Sequence, residues 1–133
     1  MNLSFVAVFI GAGFGALLRH GFNLLGKGMT AGMAAGFSEF IPLGTLISNC
    51  LGGYLVGLAV AFFTANPNLS PEWRLLIITG FLGGLTTFSS FSVEVVDLLQ
   101  RNQLLWAAGL AFSHLAGSLI LTMIGFWTYQ IIK

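Results

Sequence analysis

Four stretches of this chain, residues 1–18, 40–71, 75–93 and 102–132, contain no Asp, Glu, Lys or Arg. Each can supply the roughly 20 apolar residues that cross a bilayer as a helix. In hydrocarbon every backbone polar group must be satisfied internally, so such runs can span only as helices or as a closed barrel. Runs of this length predict helices. Of the 133 residues, 56% are hydrophobic and only 7% charged, against roughly 25% charge in a soluble domain. The fold class is therefore an all-α membrane protein with four transmembrane helices, expected at about 3–24, 42–64, 72–100 and 104–131, in one domain covering 1–133.

No Lys or Arg precedes the first run, and Arg19 follows it where a small-residue cleavage site would belong, so the run is read as a retained helix rather than a secretory signal. A formal net charge of +1 offers no basic patch for nucleic acid. The single Cys50 lies mid-span, excludes an internal disulfide and reads as a small packing residue. The connections are short; "NPNLSP" at 66–71 closes the second span with turn formers. With four spans, Arg74 and Lys133 fall on one side, and Arg19, Lys27 and Arg101 on the other. Lys and Arg normally gather on the cytoplasmic side, so this balance fits either a weakly specified topology or a chain that inserts both ways round.

Small residues recur every four positions: Gly11 with Gly15, Gly53 with Gly57, and Gly109, Ser113 and Gly117. This spacing permits close helix approach, either to a second copy or within the subunit.

The third span contains "GFLGGLTTFSSFS" at 80–92. Gly80, Gly83 and Gly84 have weak helix propensity, and Thr86 and Thr87 compete for their own backbone, which predicts a break near 81–87 or a glycine kink. An irregular backbone at membrane depth survives only where it is buried in protein or lines a wet cavity. Carbonyls freed there suit a dehydrated cation. Past the break, hydroxyl caps at Thr86 or Thr87 restart a helix whose amides favour an anion. Phe88 and Phe91 share a face and are read as packing or as ring edges, electropositive and able to hold a dehydrated anion. Asn49 on the second span and His114, Ser118 and Thr122 on the fourth bring polar groups to the same depth, the latter over about 12 Å of helix rise. The stretch has no phosphate-loop Lys and no dinucleotide glycine spacing.

"GTLISNCLGG" at 44–53, "TGFLGGLTTFSSFSVE" at 79–94 and "AGS" at 116–118 with Thr122 four residues later closely resemble the small bacterial fluoride channels called Fluc or CrcB, over essentially the whole chain. The resemblance implies an antiparallel, dual-topology homodimer in the inner (plasma) membrane. It also implies two narrow pores that let cytoplasmic fluoride escape passively, and no enzymatic activity. By motif match Phe88 and Phe91 resemble the pore phenylalanines and Asn49 the asparagine that turns toward the anion. Ser118 and Thr122 resemble the hydroxyl track, and Gly83 and Thr86 the residues whose main-chain oxygens hold a central structural sodium ion. Arg19 and Glu94 match the vestibule arginine and the acid after the motif. The family pattern has Ser or Asn one turn before the track serine; this chain has His114, a residue able to change charge near neutral pH.

The alternative from another class is a small proton-coupled multidrug exporter, which needs a titratable acid in the membrane, normally on the first helix. The first helix here has none, and Glu94 lies seven residues from Arg101 near a helix end. A purely structural assembly subunit fits the composition but gives the amide and hydroxyls no task.

Overall fold

The computed structural model describes residues 2–32 and 40–133, and its regular elements are all helical. Helix α1 spans Leu3–Thr30 and α2 Leu43–Ala65. The third span is built in pieces: α3 (Pro71–Arg74), a π-helical segment (Leu75–Leu82), α4 (Gly83–Leu85) and α5 (Phe88–Gln100). Helix α6 (Leu104–Ile132) completes the fold. Four spans are long and apolar enough to cross a membrane. Helix α1 lies against the π-helical segment, α4 and α2, while α2 and α5 both pack on α6.

The interior is built largely from small residues, and many large apolar ones face outward. Gly11, Gly15, Gly52, Gly53 and Gly57 are buried, whereas Phe9 and Leu105 are 81% and 90% exposed. This inversion suits a lipid surround, where backbone approach rather than hydrophobic burial holds helices together. A Cβ on Gly11 would collide with the Leu76 carbonyl and one on Gly15 with the Phe81 carbonyl. Across the other pair, Gly57 faces the Thr122 carbonyl and Gly125 the Tyr54 carbonyl, again with no room for a Cβ. The first two glycine stripes thus serve contacts inside the subunit, and on the third a Cβ at Gly117 would lie 3.0 Å from Cys50 Sγ. Gly109, on the third stripe, has nothing within 4 Å of a built Cβ.

Two boundaries differ from the sequence-based expectation. Helix α1 continues past Leu24 to Thr30 because Gly26 is buried against Gly44 and the Thr30 hydroxyl donates to the Gly26 carbonyl at 3.0 Å. The expected loop at 26–41 is correspondingly shorter, and its residues 33–39 lie outside the described residues. The break is also narrower than 81–87. Helical winding holds through Leu85, and only Thr86 (φ −81°, ψ 155°) and Thr87 (φ −149°, ψ 121°) are extended. Gly80 and Gly84 do not interrupt the chain; they let α1 approach, with built Cβ atoms 2.9 Å from the Val8 oxygen and 2.5 Å from the Ala12 oxygen.

Candidate functional site

The two extended residues are held by partners that replace the missing helical bonds. In an uninterrupted helix the Thr87 N–H would bond the carbonyl four residues back, that of Gly83. Here it donates to Asn49 Oδ1 at 2.7 Å, and Asn49 Nδ2 donates to the Thr87 carbonyl at 3.0 Å. One amide side chain on α2 therefore brackets one residue of the third span, bonding the peptide groups on both sides of Thr87. The same diversion occurs a residue later. Ser90 N–H would bond Thr86; it donates instead to Thr87 Oγ1 at 3.2 Å, an N-cap for α5. Among the described residues, neither the Gly83 nor the Thr86 carbonyl accepts a hydrogen bond.

Gly83 is exposed, and a Cβ built there meets only the Ile78 oxygen at 3.7 Å. Thr86 donates its hydroxyl to the Leu82 carbonyl at 2.9 Å and sets its methyl group on buried Gly52. Both carbonyls are left open although the N–H groups of Gly83 and Thr86 are paired inside the subunit.

Beside the break lies a cleft of about 420 Å³ between α2, α5 and α6, lined by Asn49, Thr86, Thr87, Phe88, Phe91, His114 and Ser118, with Gly53, Ala111, Leu115 and Leu119. No lining residue is Asp, Glu, Lys or Arg. Phe88 and Phe91 pair with ring centroids 5.5 Å apart and planes at 59°, and Phe91 meets the His114 ring at 4.8 Å. Phe88 is 80% exposed in the single chain, and Phe91 is half-buried. The Ser118 hydroxyl makes no hydrogen bond among the described residues and is available to the cleft.

His114 is buried, at 3% exposure. Asn49 Nδ2 lies 2.9 Å from its Nδ1. The Thr87 backbone sets the amide's orientation, because its N–H needs an oxygen and its carbonyl an N–H. Nδ2 must then donate its second hydrogen to His114 Nδ1, so the imidazole is neutral with its proton on Nε2. That Nε2 is buried and has no partner.

Other expected residues stand apart from the cleft. Thr122 does not line it; its hydroxyl donates to the Gly53 carbonyl at 3.0 Å and the Ser118 carbonyl at 2.8 Å. Arg19, half-buried on α1, lines neither this cleft nor the second one, and the ion pair formed among the described residues is Arg101 with Asp97 at 2.9 Å. Glu94 borders the second cleft, of about 390 Å³, with His20, Lys27, Thr45 and Ser90. Its Oε1 accepts from Thr45 Oγ1 at 2.5 Å, and its Oε2 is buried without a partner. Thr45 escaped the sequence reading; the available signal was its place one turn before Asn49 on the same helix face.

Comparison with known proteins matches residues 6–126 to a family described as "CrcB-like protein, Camphor Resistance (CrcB)". A protein of Polynucleobacter asymbioticus named "Fluoride-specific ion channel FluC" is 64% identical over the full length of both chains. Proteins of the same name from Tolumonas auensis and Pseudomonas putida are 53% and 52% identical over all of this chain and 98% of theirs.

Proposed function

The chain belongs to the CrcB/FluC family of ion channels, not enzymes, and from that membership we propose that it conducts fluoride passively out of the cytoplasm across the bacterial inner membrane. The observation that carries the reading is the cleft itself. A dehydrated anion needs donors and electropositive edges without a charge strong enough to trap it. Phenyl edges at Phe88 and Phe91, the free Ser118 hydroxyl and the unpartnered His114 Nε2–H supply these. Asn49 adds its amide once it releases a present partner. The exporter reading lacks its essential group, since no carboxylate lines this cleft and Glu94 is tied to Thr45 in another.

The working unit in this reading is an antiparallel homodimer with two pores. The exposed faces of Phe88 and Gly83 support it, because a second copy would cover both. The even distribution of Lys and Arg fits insertion in both orientations. Thr122 would act at the pore's edge by turning its hydroxyl hydrogen from the Gly53 and Ser118 carbonyls toward the anion, and Arg19 and Glu94 would serve the approach to it.

The residues at the break fit a structural sodium ion. The open carbonyls of Gly83 and Thr86, two from each copy, would give four neutral oxygens, a donor set suited to a monovalent cation rather than a divalent one. When bound, the ion would neutralise carbonyls that lipid cannot satisfy and add a positive field near the anion path.

The phenyl edges provide the test. Phe88→Ile and Phe91→Ile keep apolar bulk and remove the ring quadrupole. Reconstituted in liposomes as intact dimers, both variants are expected to lose most fluoride efflux. Native flux in both would reduce the rings to scaffold and remove this pore assignment.

A further inference from the structure

The cleft and the break meet at a single residue, Thr87. Its N–H is the hydrogen that a continuous helix would place on the Gly83 carbonyl, and Asn49 Oδ1 holds it at 2.7 Å. The amide is clamped in that position from two sides, by the Thr87 carbonyl at 3.0 Å and His114 Nδ1 at 2.9 Å. We infer that Asn49 is a positioning residue for the cation site: by taking the Thr87 N–H it keeps the Gly83 carbonyl open as a ligand. The inference rests on the sodium reading above. It adds that a residue of the anion cleft governs cation affinity, so the two sites are energetically coupled through one hydrogen bond.

The alternative is that Asn49 merely fills space beside the cleft. The two accounts separate when the acceptor for Thr87 N–H is removed or retained while the cleft is altered in either case. Asn49→Leu has similar bulk and no acceptor, so the N–H returns to Gly83 or is left unpaired. Asn49→Asp keeps an oxygen for Thr87 N–H and loses both donors. Ser118→Ala alters the same cleft without touching the break.

The full-length protein is purified in sodium, which is then replaced stepwise by N-methylglucamine, and the fraction remaining dimeric is followed by size-exclusion chromatography. This reads cation retention independently of flux. The sodium midpoint is expected to rise at least about ten-fold in Asn49→Leu, the loss of one hydrogen bond that the break depends on. It should stay at or below the native value in Asn49→Asp and at the native value in Ser118→Ala, whatever either does to fluoride flux. If Asn49→Leu does not assemble, Asn49→Ala takes its place with the same expected rise; failure of both while Asn49→Asp assembles is the limiting case of that rise. Equal midpoints in native, Leu and Asp proteins would overturn the coupling, as would loss of the dimer in all three variants. A native protein indifferent to sodium removal would instead overturn the sodium reading itself.

Discussion

At the scale of single residues, His114 does more than occupy the place of a smaller polar residue on α6. Its neutral Nδ1 accepts from Asn49, and the Phe91 ring lies at 4.8 Å. Protonation would put an N–H where an acceptor is required, freeing the Asn49 donor toward the cleft and adding a positive charge beside it. No other ionisable side chain lines that cleft. We therefore expect fluoride flux, corrected for protein-free leak at each pH, to rise several-fold as pH falls far enough to protonate His114. The profile should flatten in His114→Ser. Coincident profiles would reduce His114 to a packing group. The candidate residues Asn49, Phe88, Phe91, His114 and Ser118 were legible in the sequence because polar or aromatic side chains at membrane depth demand a reason. The bracket that Asn49 places on Thr87 was not, since it joins residues 38 apart through backbone atoms that carry no sequence signature.

At the scale of elements, glycines that look alike in the sequence divide into two kinds. Gly57 faces the Thr122 carbonyl with no room for a side chain, whereas Gly83 stands open. Gly57→Val should destabilise the subunit itself, by about 1–3 kcal/mol or more for overpacking, seen as loss of folded protein in detergent. Gly83→Val should leave the subunit folded and impair only dimer stability and flux. The Gly83 backbone is helical (φ −65°, ψ −34°) and a built Cβ there has space. Comparable subunit unfolding by both substitutions would contradict the division. The four spans were readable from their uncharged runs. The narrowness of the break was not, because the packing of Gly80 and Gly84 against α1 and the π-helical winding of Leu75–Leu82 depend on a neighbouring helix. Intrinsic propensity is a weak guide where tertiary contact decides.

At the scale of the whole molecule, the balance of Arg74 and Lys133 against Arg19, Lys27 and Arg101 leaves orientation nearly unbiased. Two or three Lys added near Asn66 should send every copy in one way and abolish flux, and coexpression of an oppositely biased copy should restore it. Full activity of the biased chain alone would contradict antiparallel pairing. The exposed Phe88 ring and the open Gly83 carbonyl are the features such pairing would complete, and both belong to the same short break. The central claim, passive and selective fluoride conduction, is tested most directly with the purified native protein in liposomes loaded with equal fluoride and chloride, reading the efflux of each anion with a specific electrode. The account predicts rapid fluoride release that needs no proton gradient, with chloride held at the protein-free rate; fluoride release no faster than from empty liposomes, or chloride leaving alongside it, would contradict it.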